Sequence, residues 1–177
     1  MLDAPPMPAA PPDPPPRHRS FPPVTDGRTR VLILGSLPGV ASLAAGRYYA
    51  HPQNQFWRLT GEAIGRDLPA LDYAGRLAAL RDAGIGLWDM VAEAARRGSL
   101  DSAIRDIAPN DLAGLVARLP ALRAIAFNGR TAAALALRQI PAMATRHATI
   151  MLPSSSPAYT LAFAAKAAEW RRLRTFL

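Results

Sequence analysis

The run Val31-Leu32-Ile33-Leu34, closed by Gly35-Ser36, constrains this chain more than any other stretch of its sequence. Successive strand residues point to opposite sides, so an unbroken apolar run leaves no polar face, and the strand must be buried on both. Further strands are expected at Ile85-Gly86-Leu87-Trp88, from Leu122 to Phe127, and from His147 to Leu152. Helical stretches separate them. One opens at Asn54 or a neighbour and carries Phe56, Trp57, Leu59 and Ile64. Another is capped by Asp72, sets Leu77 and Leu80 on one face and stops at Gly84. A third, capped by Asn110 or Asp111, holds Leu112, Leu115, Val116 and Leu119 and ends at Pro120. An Ala-rich helix covers 130–139, and a last one is expected from Ser156-Pro157 to about Arg174. Strands alternating with helices predict right-handed crossovers and a three-layer α/β/α fold around a four-stranded parallel sheet.

Residues 1–26 stand apart, holding ten of the 18 prolines. Proline fixes φ and lacks an N–H, so a flexible or polyproline-like tail is expected there, with Phe21 tacking its end onto a domain spanning 27–177. Such a tail is either a solvated leader or a segment that recruits a partner. The 177 residues suit one compact domain. No apolar run reaches the ~20 residues of a membrane span, and the N-terminus lacks the pattern of a signal peptide. A cytoplasmic protein without membrane attachment is expected. Cysteine is absent, excluding disulfides and thiolate chemistry, and three scattered histidines make a poor metal-ligand set.

Basic residues outnumber acidic ones by 21 to 13, a formal +8. All but Lys166 are arginine, which points to a compositional bias. Bias explains which cation is used but not the excess. A positive surface attracts polyanions such as nucleic acid, and charge alone leaves both readings open.

In parallel sheets ligands sit beyond the carboxyl ends of the strands, which directs attention to three segments. Gly35-Ser36-Leu37-Pro38-Gly39 follows the first strand, a tight loop whose backbone amides can approach a ligand closely. It matches neither a Walker loop nor a dinucleotide fingerprint. Tyr48-Tyr49-Ala50-His51-Pro52-Gln53-Asn54-Gln55-Phe56-Trp57 is dense in aromatic and polar side chains. Phe56 and Trp57 read as core. Two adjacent extended tyrosines cannot both face that core, so one is free to stack on a ligand. Pro153-Ser154-Ser155-Ser156-Pro157 joins the fourth strand to the last helix, either as a simple capping loop or as a phosphate site.

Taken together, these segments resemble the uracil-DNA glycosylase superfamily, and most of all its deoxyinosine (hypoxanthine) branch. The likeness spans roughly residues 30–172 and includes Gly84-Ile85-Gly86-Leu87-Trp88-Asp89, Gly98-Ser99-Leu100-Asp101-Ser102 and Phe127-Asn128-Gly129. It implies a parallel sheet of four strands between helices. The His-Pro-x-Asn-x-Phe-Trp element is also similar to mismatch-specific uracil/thymine glycosylases. In those relatives the first loop carries an Asn that positions the attacking water; Leu37 stands there and cannot orient water. The resemblance implies Asn54 as the catalytic polar residue and Tyr49 as the aromatic that stacks on the extruded base. Leu37, Pro38, Gly39, His51 and Asn128 are then base-binding candidates. Ser36, Ser154, Ser155 and Ser156 are candidates for DNA phosphate, and the apolar wedge of the relatives carries over less well.

Three of these residues keep two readings. Asn54 caps its helix or acts in catalysis, His51 braces its loop or touches the base, and Asp89 pairs structurally or serves as a second catalytic candidate. The expected partner is DNA containing deaminated bases, bound by a monomer, with no metal and no cofactor. An amine nucleophile would make a bifunctional lyase, but Lys166 is expected in the last helix outside the pocket, which implies a monofunctional enzyme leaving an abasic site. A broad uracil glycosylase and a non-catalytic nucleic-acid binder are the alternatives.

Overall fold

The computed structural model describes residues 13–139 and 146–177. Among the described residues seven strands form two sheets: β1 (Arg17–Arg19), β2 (Val31–Gly35), β3 (Ile85–Asp89), β4 (Val91–Ala95), β5 (Arg105–Pro109), β6 (Ala124–Asn128) and β7 (Ala148–Leu152). The larger sheet is parallel throughout, in the order β3-β2-β6-β7. Six helices accompany it among the described residues: α1 (Val40–Ala45), α2 (Phe56–Ile64), α3 (Tyr73–Asp82), α4 (Leu112–Ala117), α5 (Arg130–Gln139) and α6 (Phe163–Trp170).

The first apolar run divides as its periodicity requires. Val31 and Ile33 face a core with Phe56, Trp57 and Leu59 of α2, Leu80 of α3 and Trp170 of α6. Leu32 and Leu34 face the opposite core, with Leu112 and Leu115 of α4 and Ala133 and Ala136 of α5. All four are fully buried. The expected three-layer architecture is present. Asp72 and Asp111 cap α3 and α4 by accepting from Gly75 N (2.7 Å) and Gly114 N (2.9 Å).

A second sheet, β1-β4-β5, was not expected from the sequence. Only Met90 separates β3 from β4, and there the chain leaves the parallel sheet and enters the antiparallel one. The expectation of an unpaired tail to residue 26 fails from Arg17 onward, while residues 1–12 lie outside the described residues. The proline run ends at Pro16, so Arg17, His18 and Arg19 have free N–H groups and pair with Ala95, Ala94 and Glu93. Val24 then bridges to Leu87 of β3.

The last helix also departs from expectation, beginning at Phe163 rather than at Pro157. Ser156 closes a local turn instead, its hydroxyl accepting from Ala158 N (3.2 Å) and its carbonyl from Tyr159 N (3.1 Å). The 154–156 loop therefore presents side chains and turn amides, not a helix N-terminus. Among the described residues no helix is long and apolar enough to cross a membrane.

Candidate active site

A cleft of about 340 Å³ opens at the carboxyl ends of β2, β3 and β6, and every site residue singled out from the sequence lines it. Its floor is built on Gly35. A side chain there is impossible without rearrangement, because a Cβ would lie 2.5 Å from Asp89 Oδ1 and 3.0 Å from the Tyr49 hydroxyl. The loop beyond Gly35 is held from below. Arg96, at the end of β4 and fully buried, donates to the carbonyls of Leu37 (3.4 Å) and Pro38. Leu37 is itself buried in a small cluster with Val91, Ala94 and Ile104, which accounts for an apolar residue at this position. Ser36 Oγ donates to Asp101 Oδ1 (2.6 Å), and Ser99 Oγ accepts from Val40 N (3.0 Å). The amides of Leu37 and Gly39 find no protein acceptor among the described residues.

The structure separates the two tyrosines. Tyr48 is buried, its hydroxyl on the carbonyls of Phe21 and Pro22 (both 3.2 Å). Tyr49 lines the cleft in the left-handed backbone region (φ 52°), its ring lying flat on Phe56 with centroids 3.8 Å apart and planes 9° apart. Burial raises the pKa of both phenols, so both stay protonated. Asn128 ties three segments together: its Nδ2 donates to the Tyr49 hydroxyl (3.1 Å) and Ser155 Oγ (2.9 Å), and its Oδ1 accepts from Ser155 N (2.8 Å). Gln55 N donates to Ser155 O (3.0 Å), so the start of α2 and the loop after β7 are fastened at the same point.

Gln55 is the N-cap of α2 and makes no side-chain cap bond; Asn54, one residue before it, accepts from Phe56 N through Oδ1 (3.0 Å), while its Nδ2 has no protein partner among the described residues. That bond occupies only one half of the amide. His51 is exposed and braces its loop, Nδ1 accepting from Gln53 N (3.2 Å). Ser154 Oγ accepts from Ser156 N (3.2 Å). Ser155 is fully buried and consumed by its bonds to Asn128.

Asp89 ends β3 with only 4% exposure. Its Oδ2 accepts from Ser20 Oγ (2.6 Å), and its Oδ1 overlies Gly35 beside Tyr49. Burial pushes the carboxyl up to about 7; the Ser20 bond opposes this, Asp101 adds to it, and Arg96 counters. A carboxyl group in a cleft with an affinity for protons near neutrality is a typical signature of a functional site. Lys166 is not among the lining residues; it is buried beneath the wall, with Nζ 3.5 Å from Ser156 O and 5.3 Å from the Tyr159 ring centre, and burial lowers its pKa.

Sequence reasoning did not find Ser20, Arg96 or the role of Asp101. Asp101 stands in Gly98-Ser99-Leu100-Asp101-Ser102, so a signal existed. Ser20 lies within the proline-rich stretch and Arg96 is one of twenty arginines, and neither carries a distinguishing pattern.

The sequence profile of the Uracil DNA glycosylase superfamily matches residues 22–176. Two proteins named hypoxanthine DNA glycosylase, from Methanosarcina acetivorans and Methanosarcina barkeri, are 48% and 45% identical over 114 residues, covering 64% of this chain and 72% of each relative. The solution NMR structure of a candidate uracil DNA glycosylase from Methanosarcina acetivorans has a TM-score of 0.80 and 41% identity, covering 90% of this chain and 98% of that one. With its sheet order, its cleft and the motifs that line it, the chain belongs to the uracil DNA glycosylase superfamily.

Proposed function

We propose that this protein is a monofunctional DNA glycosylase that hydrolyses the N-glycosidic bond of deoxyinosine flipped out of DNA, releasing hypoxanthine and leaving an abasic site. One observation carries the reading. A single cleft joins an aromatic platform, a buried carboxylate and a half-free amide, in a chain that is 48% and 45% identical over 114 residues to proteins named hypoxanthine DNA glycosylase.

Extruding a base costs a few kcal/mol, which stacking and edge hydrogen bonds must offset. The face of Tyr49 not covered by Phe56 is the platform. Ionised Asp89 accepts from the N1–H of hypoxanthine. Adenine presents an acceptor at N1, so the same carboxylate opposes the undamaged base. Asn128, whose amide is already engaged, acts by holding Tyr49 and Ser155 in place rather than by reading the base directly.

Cleavage passes through an oxocarbenium-like state, which needs a placed water and charge stabilisation more than a strong base. The Asn54 amide orients the water toward C1′, and the amides of Leu37 and Gly39 supply donors. Water adds to the sugar, and its proton leaves with the departing base. The hydroxyls of Ser154 and Ser156 donate to phosphate. Ser36 and Ser155 are already engaged with Asp101 and Asn128 and serve structurally.

The test is base release from matched duplexes containing deoxyinosine or deoxyuridine, read with and without alkaline cleavage of the abasic product. Hypoxanthine release that needs alkali to break the strand supports the proposal. Faster uracil release would overturn the substrate, and a borohydride-trapped adduct on Lys166 would overturn the monofunctional mechanism.

A further inference from the structure

We propose that the segment preceding the parallel sheet is part of the catalytic apparatus, with Ser20 as the positioning residue that orients the Asp89 carboxylate toward the base. The inference rests on the reading of Asp89 given above and adds to it a residue from outside every recognised motif.

Ser20 is held on both sides. Upstream, β1 pairs with β4, and Ser20 N itself donates to Ala92 O (2.8 Å). Downstream, Val24 and Leu87 exchange two backbone bonds (2.8 and 2.9 Å). The carbonyl of Phe21 accepts from Trp88 Nε1 (3.1 Å) and the Tyr48 hydroxyl (3.2 Å), and the Phe21 ring meets Tyr48 edge-on at 5.1 Å. The strap therefore lies across the end of β3 with little freedom, and the Ser20 hydroxyl, which also lies 3.5 Å from the Phe21 carbonyl, meets Asp89 Oδ2 at the much shorter 2.6 Å, as a charge-assisted bond should. With Oδ2 taken, Oδ1 is the oxygen left over Gly35, beside Tyr49 and open to the cleft.

The charged and titratable groups around Asp89 are few. Asp101, in the turn after β4, disfavours the ionised form, and Arg96, at the end of β4, favours it. Tyr48 and Tyr49 are neutral, and β2 and β6 offer only Gly35 and Asn128. The Ser20 bond stabilises the carboxylate, so its removal makes Asp89 harder to ionise.

For Ser20→Ala, the acid limb of the kcat/KM profile on deoxyinosine DNA should move up by about one pH unit. That shift corresponds to a loss of about tenfold at pH 6 and almost none at pH 9.5. Ser20→Thr, which keeps the hydroxyl, should restore the profile. An independent measurement is the titration of the Asp89 carboxyl carbon by NMR, whose midpoint should rise in Ser20→Ala. An unmoved midpoint overturns the proposal whether or not any base is released. Wild-type protein that releases no hypoxanthine would instead overturn the substrate reading, leaving the NMR result to decide the role of Ser20.

Discussion

Asp89 links catalysis to stability at a single residue. Unfolded, its carboxyl loses a proton near 3.8; folded, burial chiefly holds the proton until about 7. Between these values the folded chain binds more protons than the unfolded one, so this group's contribution to stability falls as pH rises through that window and stays low above it. Asp89→Asn removes the ionisation. The variant should be more stable than wild type at pH 8, by up to about 4 kcal/mol from the width of that window, and the gap should close below pH 4. Thermal melts across pH check this. The acid limb of excision, centred near 7 in wild type, should vanish in the same variant. Gly35→Ala acts on the same spot from the opposite side. Its methyl displaces Asp89 and Tyr49, which should cost about 1–3 kcal/mol of stability and lower the single-turnover rate; an unchanged rate would mean that the floor tolerates movement.

Elements place these groups more than local sequence does. The parallel strands were legible because short apolar runs alternate with helical stretches, β2, β3 and β6 being buried along nearly their whole length while the edge strand β7 buries only Ile150 and Leu152, and the rule that ligands sit at carboxyl ends then selected segments that line the cleft. The second sheet was not legible. β5, Arg105–Pro109, is exposed along its whole length, β1 is three residues between prolines, and Val91–Ala95 is too rich in alanine to show a period. Ser156-Pro157 has the chemistry of a helix start, yet the turn at Ala158 and Tyr159 uses those groups, and the helix begins later. The second sheet matters because β4 delivers Arg96 beneath the Leu37-Pro38 carbonyls. Arg96→Met leaves two carbonyls without their buried donor, costing about 1–3 kcal/mol for each unsatisfied group. If the grip shapes the loop for catalysis, kcat should fall more than KM rises. A loss confined to stability would assign Arg96 to the fold alone.

At the scale of the whole molecule, the proposed DNA substrate gives the excess of positive charge a testable role. A chain with a formal +8 should bind duplex DNA more weakly as salt rises, each neutralised phosphate contributing about −0.9 to the log–log slope. A flat salt dependence would detach the charge from DNA binding. Asn54, Tyr49 and the serine loop stood out in the sequence through dense polar or aromatic clusters and through the family resemblance, and all of them line the cleft. What closes the site around them, Ser20 from the strap and Arg96 from the second sheet, arrives through tertiary pairing that no local pattern announces. The account stands most directly on a single-turnover comparison of wild type and Asn54→Ala on deoxyinosine duplex, with DNA affinity measured in parallel. It predicts excision by wild type and a loss of at least about 100-fold in the variant, the lower end expected when a water-placing polar group is removed, with affinity retained. Equal rates for the two proteins, or binding without release of any base by wild type, would contradict it.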